Sequence, residues 1–162
     1  MCVWVRHPWI GGAVGATFYL EPVATIDVDV FVTFKSAPGS LLVSPQPIFD
    51  YLKAHGGAVQ GEYIVLAEWP VQFLPTTTLL VEEALVAQAL TLDAGGVPAQ
   101  AFSAEHLAAI ALETGRSKDK ARLLQFLESG VLNTQKFGEL VTRHGLSDAW
   151  QRFGRQFLSD AP

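Results

Sequence analysis

Residues 25–34, TIDVDVFVTF, alternate apolar and polar side chains for ten positions. Ile26, Val28, Val30, Val32 and Phe34 project one way; Thr25, Asp27, Asp29, Phe31 and Thr33 project the other. A period of two, carried by β-branched residues, suits a half-buried strand and no helix. Upstream, residues 2–10 (CVWVRHPWI) read as a first strand, with Pro8 marking an irregularity. Gly11-Gly12 turns the chain, and residues 13–20 form a short helix. Glu21-Pro22 ends that helix, because a residue before proline disfavours the α region. The opening unit is therefore strand, glycine turn, short helix, strand.

The rest of the chain divides by composition. Eight of nine prolines precede Ser103, as do the alternating runs. Residues 47–55 read as a helix closed by Gly56-Gly57. Residues 63–67 and 71–74 pair as a hairpin through Glu68-Trp69-Pro70. Residues 82–90 read as a helix, and strands 89–92 and 97–102 flank Asp93-Ala94-Gly95-Gly96. Beyond, Ser103 caps a helix over 104–114 that Gly115 ends. Ser117 caps the next, whose stripe is Leu123, Leu124, Phe126 and Leu127, and Gly130 stops it. Helices over 134–144 and 147–158 complete the chain. The fold class is α/β (α+β): a small mixed sheet flanked by helices in residues 1–102, with a helical portion, 103–162, packed on it.

Bulk properties narrow the function classes. A length of 162 residues, 49% hydrophobic and 17% charged, gives one domain with a real core, or one domain plus a small appendage. The formal charge of −5 offers no basis for nonspecific nucleic-acid binding. It is split: residues 1–102 carry 3 Lys/Arg against 9 Asp/Glu (−6), and residues 103–162 carry 8 against 7 (+1). Cys2 is the sole cysteine, and His7, His55, His106 and His144 lack metal-ligand spacing, so no Cys-based zinc site is expected. No uncharged run approaches the roughly 20 apolar residues of a membrane span, and no secretory signal opens the chain. A cytoplasmic location is the expectation, with no membrane partner.

The chemistry centres on Asp27 and Asp29. Two residues apart on a strand, both carboxylates leave one face, with Cα atoms about 6.6 Å apart. Hard oxygen donors so placed suit Mg²⁺, which takes one or two carboxylates plus water and substrate phosphates. One or two such ions serve phosphoryl and nucleotidyl transfer. A strand with one wet face has the same alternation without function. Gly11-Gly12 tips the balance: glycines at a strand-to-helix junction let a phosphate approach backbone N–H groups. A tight turn alone is the competing account.

Strand, glycine pair, helix, then a strand bearing T-x-D-x-D resembles the signature of the DNA polymerase β-like nucleotidyltransferase superfamily. Within it the chain is most similar to the small bacterial nucleotidyltransferase-like proteins grouped with the AbiEii-type toxins. The resemblance implies that Gly11 and Gly12 contact a triphosphate and that Asp27 and Asp29 bind Mg²⁺ as catalytic metal ligands. Thr25 occupies the family's threonine position. The segment SAEHLAAIALETGRSKDKARLLQFLE, residues 103–128, is similar to a later family segment in which a helix leads to an Arg-x-Lys-Asp run. Arg116, Lys118 and Asp119 match it. Arg116 or Lys118 then reaches phosphate, Arg in bidentate fashion; ordinary helix capping with solvated basic residues accounts for them equally well.

Three departures accompany the resemblance. The third carboxylate usual in catalytic members falls in EWPVQFLP, residues 68–75, where the strand pattern puts Gln72. An amide is a poor base and a weak Mg²⁺ ligand; Glu62 and Glu68 are nearby in sequence. The family's lysine before the Arg run corresponds to Ala111. The helix that often precedes the first strand has no counterpart after Met1. The expected function is Mg²⁺-dependent transfer of a nucleoside monophosphate from an NTP to a hydroxyl on a protein, an RNA or a small molecule. The alternative is a non-catalytic module of the same fold that binds nucleotide or a protein partner, and a third is a plain α+β binding protein with an accidental DxD.

Overall fold

A computed structural model describes residues 5–34, 44–87, 90–94 and 96–158; Cys2, at the start of the expected first strand, lies outside them. Among the described residues seven strands form one mixed sheet: β1 Val5–Ile10, β2 Val28–Phe34, β3 Ala58–Gln60, β4 Tyr63–Leu66, β5 Trp69–Pro75, β6 Leu90–Ala94 and β7 Val97–Ala101. Their order is β3-β4-β5-β2-β1-β7-β6. β2 runs antiparallel to β1 and parallel to β5, and β1 runs parallel to β7. The remaining neighbours are antiparallel hairpins.

The register of β1 against β2 shifts by one residue between Arg6 and Trp9. Pro8, which has no N–H to give a ladder, sits inside that shift. β4 and β5 join through a two-residue turn at Ala67-Glu68, both at positive φ (47° and 70°). The expected connection, Glu68-Trp69-Pro70, is thus displaced: Trp69 and Pro70 already pair with Leu66 and Val65. A tight turn with both residues left-handed matches the strand twist, which favours this register.

Among the described residues the helices are seven: α1 Gly12–Ala16, α2 Gln46–Ala54, α3 Leu79–Val86, α4 Ala104–Thr114, α5 Ser117–Ser129, α6 Thr134–Arg143 and α7 Ser147–Phe157. α3 starts earlier than residues 82–90 imply, because Thr78 accepts a hydrogen bond from the Val81 N–H and opens the helix there. Leu90 consequently belongs to β6. Ser103 caps α4 by accepting from the His106 N–H, and Gly115 closes it in the left-handed region. Ser117 does not cap α5. The cap position is Arg116, without a side-chain cap bond, and Ser117 is the first helical residue. Among the described residues, no helix is long and apolar enough to cross a membrane.

The two faces of the sheet have separate cores. On one, Val28 and Val30 pack against Phe49 of α2, Ile64 and Val71. On the other, Phe31 and Trp9 meet Phe102, with ring centroids 5.0 and 6.0 Å apart. That second core continues through α4, whose Leu107, Ala108 and Ala111 are buried, into Leu123 and Phe126 of α5. β2 therefore places odd-numbered side chains on the helical face, and Asp29 projects there with Phe31.

Candidate active site

β2 begins at Val28, not at Thr25. The Thr25 hydroxyl donates to the Asp27 carbonyl (3.1 Å) and carboxylate (3.2 Å). Such local side-chain bonds give the backbone an alternative to the ladder. Ile26, expected on the buried face, is 81% exposed as a result. Thr25 thereby orients Asp27 just before the strand, and Asp29 lies inside it.

The glycine pair is held by space. The Gly11 N–H donates to the Asp29 carbonyl at 3.0 Å. It belongs to the sheet and is not one of the free N–H groups expected at the helix start. A Cβ on Gly11 would lie 2.5 Å from a Phe31 ring carbon. Gly12 has φ +56°, and a Cβ there would land on the Asp29 carboxylate. The pair thus lets α1 begin directly against Asp29. First-turn N–H groups of Gly12, Ala13 and Val14 have no partner within a helix that starts there.

Burial pushes the Asp29 carboxyl above its ordinary pKa, and the Asp27 charge adds to that. Lys118, Arg122 and Arg116 act in the opposite direction. Three basic side chains from the start of α5 therefore lie within electrostatic reach of Asp29, although the motifs are some ninety residues apart in the chain. Asp119, 2% exposed, organises them. It accepts from Arg116 Nε at 2.6 Å and from Arg122 Nη1 at 3.5 Å. Arg122 Nε is buried without a hydrogen-bond partner among the described residues. The sequence motifs do not point to Arg122; its spacing one helical turn after Lys118 is the signal that places it on the same helix face.

Gln72 pairs in register with Asp29 across the parallel β2–β5 ladder. Val71 and Ile64 are buried on the α2 face, so Gln72 shares the opposite face with Asp29. Ala111 is buried in the core of α4. Among the described residues, no three His, Cys, Asp or Glu side chains gather where they could hold a metal. The donor set that exists is a pair: two carboxylates whose mutual repulsion a hard divalent cation would relieve, which fits Mg²⁺ with substrate phosphates completing its shell. A surface depression lined by Gln135, Gly138, Glu139, Thr142 and Arg143 lies on α6 and includes none of these residues.

No protein-family model matches the chain, and no curated protein does. Solved structures do. An antigenic nucleotidyltransferase-like protein from Paracoccidioides brasiliensis is similar at a TM-score of 0.58 and 14% identity, over 94% of this chain and 81% of that one. The antibiotic-resistance factor ANT(2'')-Ia is similar at 0.53 and 15% identity, over 93% and 88%. At such identities the likeness is one of fold. The chain has a nucleotidyltransferase-like α/β fold.

Proposed function

We propose that the protein transfers a nucleoside monophosphate from an NTP to a hydroxyl acceptor in a Mg²⁺-dependent reaction, as a relative of the small bacterial AbiEii-type proteins. One observation supports this: Asp29 lies against Gly12 of the glycine turn, with Asp27 and the charges of Lys118, Arg122 and Arg116, from another part of the chain, all acting on it. An acidic pair with a basic cluster near it suits a metal–triphosphate. The likeness of fold to the nucleotidyltransferase-like protein from Paracoccidioides brasiliensis is compatible with it, and the acceptor stays a protein, an RNA or a small molecule.

In this reading Asp27 and Asp29 hold Mg²⁺, which when bound neutralises charge on the triphosphate. Gly12 admits a phosphate to the first turn of α1, and Gly11 contributes the absence of a side chain. Thr25 keeps Asp27 aimed. Arg116 and Lys118 contact phosphate oxygens, with Asp119 fixing the guanidinium plane. The acceptor oxygen bonds to Pα, the Pα–O bond to pyrophosphate breaks, and pyrophosphate leaves with the electron pair. Residues 1–102 form the catalytic portion and 103–162 bring the basic side chains.

Gln72 beside Asp29 favours a second reading, a nucleotide-binding module without catalysis. Incubation with Mg²⁺ and each α-labelled NTP, compared with Asp27→Asn/Asp29→Asn, separates the two. Label transfer that disappears in the variant supports the transferase. Metal-dependent NTP binding without transfer supports the module, and absence of binding refutes both.

A further inference from the structure

The face of the sheet that bears Asp29 is covered unevenly. Over β1, β2 and the end of β7 it meets α4 and α5 through Trp9, Phe31 and Phe102. Beyond β2 the ladders carry the same face outward. Gln72 stands beside Asp29, Tyr63 beside Gln72 one step along the β4–β5 ladder, and Gln60 beside Tyr63. Val65 and Pro70 pair on this side too, since Ile64 and Val71 are turned to α2. Among the described residues, Tyr63, Val65, Pro70 and Leu74 join neither core, and none of them is buried. An open shelf of aromatic, aliphatic and amide side chains thus runs from Asp29 to the sheet edge at β3.

Charge divides the two halves. Lys118, Arg122 and Arg116 act on Asp29 from α5, on the covered half. Residues 56–75, which form β3, β4, β5 and their turns, contain Glu62 and Glu68 and no Lys, Arg or His. Both glutamates are exposed, one in the turn at each end of β4. In-line displacement puts the attacking oxygen and the leaving pyrophosphate on opposite sides of Pα. A pyrophosphate drawn to the basic side chains therefore leaves the acceptor to arrive over the shelf. A nucleic acid there would meet carboxylates, with no cation of the shelf to neutralise its phosphates. Small molecules take concave sites, which an open sheet face is not. A tyrosine among apolar neighbours, with a charged rim, has the make-up of a protein-binding surface.

We propose that the acceptor is a protein: a Ser, Thr or Tyr hydroxyl on a segment flanked by Lys and Arg, laid across β5, β4 and β3. The inference rests on the transferase reading above. The hydroxyl oxygen bonds to Pα and the Pα–O bond to pyrophosphate breaks. Pyrophosphate takes the electron pair, and the hydroxyl proton passes to water. Glu62 and Glu68 meet the flanking cations, and Tyr63, Val65 and Pro70 take the segment's apolar contacts. Gln60 and Gln72, each both donor and acceptor, bond its peptide groups.

The test gives the whole chain Mg²⁺ and α-labelled NTPs with a choice of acceptors. These are peptides holding Ser, Thr and Tyr between Lys and Arg, the same peptides with Glu flanks, total tRNA, and glycerol. Label should enter the basic peptides fastest, and added salt should narrow their lead by screening. Glu62→Lys/Glu68→Lys should lower kcat/KM for the basic peptides about tenfold, the sum of two exposed ion pairs, and raise it for the acidic ones. Affinity for Mg²⁺–NTP, read by equilibrium dialysis, should stay within about twofold, since the glutamates do not touch the nucleotide. Transfer chiefly to tRNA or glycerol, or equal labelling of the two peptide sets, overturns the protein acceptor and leaves the transferase reading standing. So does a charge-reversed variant that keeps its preference, or a loss matched by weakened NTP affinity. A wild-type protein that labels no acceptor refutes the transferase reading and this proposal with it.

Discussion

Asp29 carries a cost in the folded chain, and that cost is measurable. Its pKa lies above the ordinary 3.8 through burial first and Asp27 second. Between the unfolded and folded values the native state binds more protons than the unfolded one, so stability falls as pH rises through that window. Above it the full penalty persists. Asp29→Asn removes the charge, keeps the shape, and should raise the melting temperature of the metal-free protein at pH 7 by about 2–4 °C. The same variant should lose the further stabilisation that Mg²⁺–NTP confers on the wild type. Calorimetry with and without Mg²⁺–NTP reads both effects, and a variant less stable than wild type would refute the first. A residue that destabilises its own fold is one mark of a site built for a ligand.

The α4–α5 junction is the element on which the basic half of the site depends. Gly115 ends α4 in the left-handed region, Arg116 takes the cap position, and Asp119 sits in the first turn of α5. Asp119 holds Arg116, 60% exposed at its side chain, and Arg122, 13% exposed. Removing the acid takes from a largely buried guanidinium its one ion-pair partner among the described residues, leaving it only the longer-range charge of Asp29. Asp119→Ala should therefore cost about 3 kcal/mol in a urea melt, most of it from Arg122. Arg116→Ala should cost less than about 1 kcal/mol, because an exposed ion pair contributes little. Equal losses in the two variants would show that Asp119 stabilises α5 by some route other than Arg122. Arg-x-Lys-Asp is read here as one unit: the aspartate is structural, and through it the arginine is aimed.

At the scale of the whole molecule, one buried histidine joins three helices. His106 of α4 is 7% exposed, and its Nδ1 shares a hydrogen bond with Ser103 Oγ at 2.8 Å. Its Nε2 lies 3.8 Å from Glu83 of α3, which also meets Arg143 and His144 at the end of α6. Burial lowers the His106 pKa, with Glu83 and Glu105 opposing and His144 and Arg143 reinforcing. The unfolded chain thus binds this proton more readily than the native one. Stability should be level above about pH 6.5, the unfolded value, and fall as pH drops below it. Urea midpoints taken between pH 7.5 and 5.5 should show that decline, and His106→Gln should flatten it. An unchanged slope in the variant would assign the decline to other groups.

The strand–glycine–helix–strand unit and the four C-terminal helices were legible because their causes are local. Alternation in TIDVDVFVTF sets which side chains share a face, Ser103 caps α4, and Gly115 and Gly130 close α4 and α5 in the left-handed region. Even locally the reading overran by three residues, since the Thr25–Asp27 bonds that end the alternation early leave the hydrophobic pattern intact. β3 was invisible: three exposed residues have no alternation to detect. A period of two says what one strand presents, never which strand lies beside it. That Gln72 and then Tyr63 stand in line with Asp29 follows from ladder register, and that Arg122 joins Lys118 at the aspartates follows from how α5 docks. The sequence by itself determined the aspartates, the glycines and the face they share. Only the tertiary structure decided what that face looks out on, because such contacts depend on residues brought together by packing across the whole chain.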